Sequence, residues 1–232
     1  MSKNSTNNKG VAQDILIIMD RSGSMAAMGS EPLEALNSFI KDQQSVISED
    51  GARLSLWMFD TNASLIIDDQ LLKDVKPITN YVPIGMTAMY DAIGKAVSLK
   101  YNKNKKDNVV CMVITDGCDN SSEEFTVDDT RRLINLAENN DNWKFIFLGA
   151  KDIFSQGANT GFDNGRCVSY SPSINGTLTS LSRDISQTVA NYRSITAEGV
   201  SADLTLNNIK LNEIELEKND DVVIELPCLM NK

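Results

Sequence analysis

A carboxylate and two hydroxyls stand close together early in the chain, as Asp20, Ser22 and Ser24. They follow an apolar run, residues 15–19, which is typical of a parallel strand that is buried on both faces. Carboxylate and hydroxyl oxygens are the ligands that hard divalent cations such as Mg²⁺ prefer. Open α/β sheets bind their ligands in loops at the carboxyl ends of parallel strands. The turn that begins at Asp20 is therefore predicted to bind a metal ion.

Two further oxygen-bearing residues lie downstream, each at the end of a predicted element. Thr87 precedes an apolar helical pattern, and Asp116 ends a second apolar strand, residues 109–115. The early Asp-x-Ser-x-Ser pattern, followed in order by Thr87 and Asp116, resembles the metal-ion-dependent adhesion site (MIDAS) of von Willebrand factor A domains. This resemblance covers roughly residues 11–197, as judged by the order of the predicted elements.

The resemblance implies a role for each of the five residues. Ser22 and Ser24 would coordinate the cation directly, and Thr87 would do so directly or through a water. Asp20 and Asp116 would lie behind them, act largely through waters and orient the site. One coordination position would remain for an Asp or Glu of a partner protein. The ligand types suit Mg²⁺, Mn²⁺ and Ca²⁺ alike, so Mg²⁺ is the first expectation and the other two remain open.

Each of these residues also has a purely structural interpretation. Ser22 and Ser24 could hydrogen-bond within a turn, and Asp20 could cap the same loop. Thr87 could be the N-cap of its helix, and Asp116 begins an Asp-Gly dipeptide that is common in turns. Their joint occurrence at two strand ends and one helix start favours the metal site over five separate local roles.

Strands alternate with helices along most of the chain, which predicts an α/β fold. We expect a doubly wound, mostly parallel, six-stranded sheet with helices on both faces, a Rossmann-like arrangement. A hairpin places a short third strand, residues 64–67, antiparallel at one edge. The predicted organisation is a disordered polar tail at 1–10, the main domain at 11–197 and a small β-rich appendage at 198–232.

Composition excludes several classes of function. The 232 residues carry a net charge of -10, which disfavours binding to nucleic acids or to anionic membrane surfaces. The chain contains no histidine, which removes Ser-His-Asp triads and histidine metal sites. We find no secretory signal and no apolar run long enough to span a bilayer. Four scattered cysteines are typical of a reducing compartment, so the expected location is the cytoplasm.

The favoured function is a metal-dependent protein-protein interaction module without catalytic activity. Intracellular members of the family often act beside ATPases or in stress-response complexes, so such a complex is the expected setting. One alternative is a metal-assisted phosphatase or other hydrolase, because acidic loops at strand ends also occur in those enzymes. Another is an assembly component that uses the appendage at 198–232 for oligomer contacts.

Overall fold

A computed structural model of the protein describes residues 13–46, 51–103, 108–140, 143–150, 157, 159–172, 176–198, 200 and 202–206. The predicted tail at 1–10 lies outside these ranges. So does most of the predicted appendage at 198–232.

Six strands form a single sheet. In chain order they are β1 (Gln13–Asp20), β2 (Arg53–Phe59), β3 (Ala63–Leu71), β4 (Asn108–Thr115), β5 (Trp143–Ala150) and β6 (Cys167–Tyr170). Their order across the sheet is β3-β2-β1-β4-β5-β6. Every neighbouring pair is parallel except β2 and β3, which are antiparallel. This confirms the predicted fold class, with its single antiparallel strand at one edge.

The four long helices of the described residues cover the two faces of the sheet. They are α1 (Glu31–Gln44), α2 (Met89–Lys103), α3 (Val127–Asn140) and α4 (Thr177–Ala197). Buried side chains of α1 and α4 share one hydrophobic cluster, and those of α2 and α3 share a second. In the described part of the chain, no helix is both long and apolar enough to cross a membrane.

The central strand β1 divides its side chains between the two clusters. Ile15, Ile17 and Met19 face the cluster of α1 and α4, whereas Leu16 and Ile18 face that of α2 and α3. All five are at most 1% exposed, so both faces of the strand are covered. This explains why the sequence shows a continuous apolar run here instead of an alternating pattern.

The strand order reverses at β1. The chain passes from β1 to β2 on one side, and later returns to β4 on the other side. The loops that leave β1 and β4 therefore meet at the same edge of the sheet, which is the place where doubly wound sheets bind ligands.

The edge strand β3 is longer than predicted. It runs from Ala63 to Leu71, whereas the sequence predicted residues 64–67. The pairing of β2 with β3 is irregular around Leu56, and Asp69 adopts a positive φ of 51°. Arg53 and Lys100 donate hydrogen bonds to the Asp69 carboxylate at 2.7 and 2.6 Å. These charged partners stabilise a strand whose polar composition is more typical of a loop.

Part of the predicted appendage packs on the main domain. Leu204 and Leu206 are 1% and 4% exposed, and both belong to the cluster of α1 and α4. Ala202 packs against the same cluster. Leu204 and Leu206 therefore extend the core on the face that α1 and α4 cover.

Candidate metal centre

The loop after β1 begins with a buried carboxylate. Asp20 is 0% exposed, and its Oδ1 accepts the backbone N–H of Ser22 at 2.6 Å. A short 3-10 helix, Gly23–Met28, follows at once and buries Met25 and Met28. The buried methionines anchor the turn, so the two serine hydroxyls are presented from a fixed backbone.

The predicted residues at the end of β1 and in the loops after β1 and β4 are linked by hydrogen bonds. The hydroxyls of Ser22 and Ser24 lie 3.0 Å apart. The Ser24 hydroxyl donates to Asp116 Oδ1 at 2.6 Å. With the hydrogen bond from the Ser22 N–H to Asp20, four of the five predicted residues are thus connected across the two loops.

The fifth residue, Thr87, reaches the same place from the segment before α2. A Cβ atom placed on Gly117 would lie 3.3 Å from Thr87 Oγ1 and 3.6 Å from Ser24 Oγ. Both hydroxyls therefore converge on Gly117, directly after Asp116. A side chain at this glycine would press against the oxygens that the prediction assigned to the metal.

The loop after β4 holds Thr87 by its backbone. The Thr87 N–H donates to Asn120 Oδ1 at 2.8 Å. The N–H groups of Asn120 and Ser121 donate to the Thr87 carbonyl oxygen at 2.9 and 3.3 Å. Thr87 is 4% exposed, so this clamp fixes a buried hydroxyl.

The same loop also caps the start of α2. Asp119 Oδ1 accepts the Tyr90 N–H at 3.2 Å, and the Ser122 hydroxyl accepts the Asp91 N–H at 3.0 Å. The Asp91 carboxylate in turn accepts three backbone N–H groups of residues 123–125, at 2.7–3.0 Å. Residues other than Thr87 thus satisfy these helix N–H groups, although the sequence allowed an N-cap role for Thr87.

Two residues that the sequence did not single out support Asp20. The Thr115 hydroxyl donates to Asp20 Oδ2 at 2.6 Å, and the Tyr81 hydroxyl donates to the Asp20 carbonyl oxygen at 2.7 Å. Thr115 could have been found, because it precedes Asp116 at the buried end of a strand. Tyr81 gave no signal, since it lies in an irregular segment far from Asp20 in the chain.

Electrostatics at the site favour a cation. Burial raises the pKa of Asp20 to about 6, against hydrogen bonds from Thr115 and Ser22 that lower it, and the charge of Asp116 adds to the increase. Burial also raises the pKa of Asp116, against the hydrogen bond from Ser24. A divalent cation among these oxygens would offset the cost of placing two carboxylates close together, one buried and one half-buried.

The donor set fits a hard cation. It consists of hydroxyl and carboxylate oxygens, which suit Mg²⁺, Mn²⁺ or Ca²⁺. Within the described ranges, no group of three or more His, Cys, Asp or Glu side chains could hold a metal ion. A metal at this edge of the sheet would therefore depend on the hydroxyls of Ser22, Ser24 and Thr87 as well as on carboxylates.

Comparison with known proteins points to one family. Residues 14–183 match the von Willebrand factor type A domain. A search of curated proteins found no match.

Several solved structures share the fold. Proximal thread matrix protein 1 from the mussel byssus is 17% identical, with a TM-score of 0.57 over 78% of this chain and 47% of that one. The same protein with a zinc-occupied MIDAS motif is 16% identical, with a TM-score of 0.56 over 78% of this chain and 46% of that one. A von Willebrand factor type A protein from Catenulispora acidiphila is 17% identical, with a TM-score of 0.52 over 81% and 42%. The present chain spans less than half the length of these structures.

Proposed function

Because this chain belongs to the von Willebrand factor type A domain family, we propose that it is a divalent-metal-dependent module that binds a partner protein. The observation that supports this most directly is the connected set of oxygens at the carboxyl edge of the sheet. Asp20, Ser22, Ser24 and Asp116 form one hydrogen-bonded chain, and the Thr87 hydroxyl lies beside it at Gly117.

In this proposal the hydroxyls of Ser22, Ser24 and Thr87 face the cation, which is Mg²⁺ in the first instance. Asp20 and Asp116 supply negative charge and orient those hydroxyls. When bound, the metal would provide a Lewis-acidic position for an Asp or Glu side chain of the partner. The neutral hydroxyls leave more positive charge on the metal than a purely carboxylate site would, which favours capture of an external carboxylate.

We propose binding, and not catalysis, as the role of this site. The sequence contains no histidine, and the carboxylates of the site are engaged in hydrogen bonds that shape the loops. The partner class suggested by the family resemblance is a protein complex, such as one built around an ATPase or one that acts in a stress response.

The metal itself is the first probe of the proposal. Isothermal titration with Mn²⁺ and Mg²⁺ should show one binding site in the unaltered protein. Asp20→Ala should weaken that binding by about tenfold or more, because it removes the residue that orients the loop. Asp128→Ala is the matched control, since Asp128 is an exposed acid in the first turn of α3. Equal metal affinity in Asp20→Ala and the unaltered protein would contradict the proposal.

The cytoplasm, which was predicted from the sequence, remains the proposed location of this protein. Among the described cysteines, Cys111 and Cys167 are free and buried. Disulfides persist mainly in oxidising compartments, so reduced cysteines are expected in a cytoplasmic protein. Alkylation of thiols in intact cells, followed by mass spectrometry of the denatured protein, shows whether Cys118 is reduced in the cell. A cytoplasmic protein should be alkylated at Cys118, and protection of that residue would contradict the cytoplasmic location.

A further inference from the structure

Three large apolar side chains are exposed beside the candidate metal centre. Val82 and Ile84 are each 62% exposed, and Met86 is 50% exposed. They alternate along the segment that leads to Thr87, and we call these three residues the apolar rim. An exposed apolar group beside a ligand site is a common feature of binding surfaces.

The apolar rim is fixed to the metal-binding loop by backbone hydrogen bonds. The Ile84 N–H donates to the Arg21 carbonyl oxygen at 2.8 Å, and the Gly23 N–H donates to the Gly85 carbonyl oxygen at 3.1 Å. On its other side, the Met86 N–H donates to the Thr61 hydroxyl at 3.0 Å. The segment is therefore held between the loop of β1 and the turn of the β2–β3 hairpin.

Gly85 shows how closely this segment is packed. Its φ of 77° is a conformation that favours glycine, and a Cβ there would lie 2.7 Å from Thr61 Oγ1. Because the backbone is held on both sides, the rim presents its exposed side chains from a fixed backbone. Binding of a partner to the rim would therefore carry a small entropic cost for ordering this surface.

The opposite side of the centre is acidic. The loop after β4 carries Asp119, Glu123 and Glu124, and the two glutamates are exposed. Lys95 pairs with Glu124 at 2.7 Å, which leaves Glu123 as an exposed acid. The rim is bonded to the β2–β3 turn at Thr61, whereas this acidic loop follows β4, and β2 and β4 flank β1 on opposite sides.

From this asymmetry we propose that the apolar rim selects the partner. The occupant is a protein segment in which one Asp or Glu is directly flanked by a large apolar residue and not by a second acid. The carboxylate would go to the metal, and the apolar neighbour would pack on Val82, Ile84 and Met86. A second acid would face the acidic loop of a chain whose net charge is -10. The inference rests on the proposed function and specifies its partner.

Synthetic peptides test this selection. Four peptides are titrated against the protein in the presence of Mg²⁺. Three have a central Glu that is flanked on both sides by Leu, by Ser or by Asp. The fourth is the Leu peptide with Gln in place of the Glu. The Leu peptide should bind about tenfold more tightly than the Ser peptide, as expected for partial burial of an apolar side chain. The Asp peptide should bind more weakly than the Ser peptide, and the Gln peptide should not bind.

Variants of the rim then locate the contact. The double variant Ile84→Ser, Met86→Ser should lose about tenfold in affinity for the Leu peptide and keep its affinity for the Ser peptide. Its affinity for Mn²⁺ should be unchanged. The control is Ile195→Ser, a 42% exposed apolar residue near the end of α4. That variant should bind all four peptides as the unaltered protein does.

The outcomes separate the two proposals. Metal-dependent binding of every Glu peptide with equal affinity would overturn the role of the rim and leave the proposed function intact. Binding of the Leu peptide that does not change in Ile84→Ser, Met86→Ser would overturn it as well. If no Glu peptide binds, or if binding persists in Asp20→Ala and in chelator, both proposals are wrong.

Discussion

Thr115 determines how Asp20 is held, although it is not one of the predicted metal ligands. Its hydroxyl donates to Asp20 Oδ2 at 2.6 Å in a fully buried position. Thr115→Val keeps the shape of the side chain and removes the donor. We expect metal affinity to fall by about 10- to 100-fold, as happens when an orienting partner of a metal site is lost. Titration with Mn²⁺ measures the change.

Thr130→Val provides the control for that substitution. Thr130 is also fully buried, and its hydroxyl donates to the Val127 carbonyl oxygen at 2.8 Å within α3. The control should lower stability without a change in metal affinity. Equal metal affinities in Thr115→Val and Thr130→Val would show that Thr115 only stabilises the fold.

The sequence was informative about single residues wherever a residue type carries its own chemistry. It predicted that Asp20, Ser22, Ser24, Thr87 and Asp116 belong together, and the structure brings them to one edge of the sheet. It could not predict the supporting hydroxyl of Tyr81. That contact depends on how an irregular segment folds over the sheet, and no periodic pattern encodes such a path.

At the scale of elements, a buried ion network connects α2 to the strands at the amino end of β1. Lys100, which is only 3% exposed, donates to Asp14 at 2.7 Å and to Asp69 at 2.6 Å. Arg53 donates to Asp69 from the other side at 2.7 Å. One charged cluster thus joins the helix to β1, β2 and β3.

The network predicts a pH-dependent contribution to stability. Burial raises the pKa of Asp69, but hydrogen bonds and charge from Lys100 and Arg53 outweigh it, so the folded pKa lies below the ordinary value. The contribution is therefore present above the unfolded pKa of about 4 and is lost as the pH falls through the folded value. Asp69→Asn should lower the free energy of unfolding by about 2 kcal/mol at pH 7, and by progressively less below pH 4.

Denaturant unfolding at pH 7 and pH 3 measures this difference. Asparagine tolerates the positive φ of position 69, so the substitution tests charge and not backbone strain. The control is Asp68→Asn, because Asp68 is 50% exposed and its pair with Lys103 lies at the surface. A difference between Asp69→Asn and the unaltered protein that stays constant over this pH range would refute the assignment.

The same network shows what the sequence could and could not predict about elements. The two apolar runs identified in the sequence, residues 15–19 and 109–115, match β1 and β4 within one or two residues at each end. The end of β3 was not predicted correctly, since residues 68–70 are polar and resemble a loop. Their strand conformation depends on Arg53 and Lys100, which are distant in sequence and were not recognised as partners.

At the scale of the whole molecule, the two faces of the sheet are closed by different means. Among the described residues, one face is covered by α2 and α3, which come from the middle of the chain. The other face is covered by α1 and α4 and, in addition, by the segment after α4. The sequence assigned that segment to a separate appendage because its apolar residues are spaced by two in a polar background.

The buried leucines of this segment give a test of where the domain ends. Leu204→Ala should lower the free energy of unfolding by about 2–5 kcal/mol, because it leaves a cavity in the cluster beneath α4. Val200→Ala is the control: Val200 is 53% exposed, and we expect a change within about 0.5 kcal/mol. Chemical denaturation measures both.

If Leu204→Ala unfolds with the same free energy as Val200→Ala, residues 202–206 do not belong to the core, and the domain ends at α4 as the sequence predicted. A large loss confined to Leu204→Ala would instead extend the folded domain to residue 206, because a leucine contributes to unfolding free energy only where the folded state buries it.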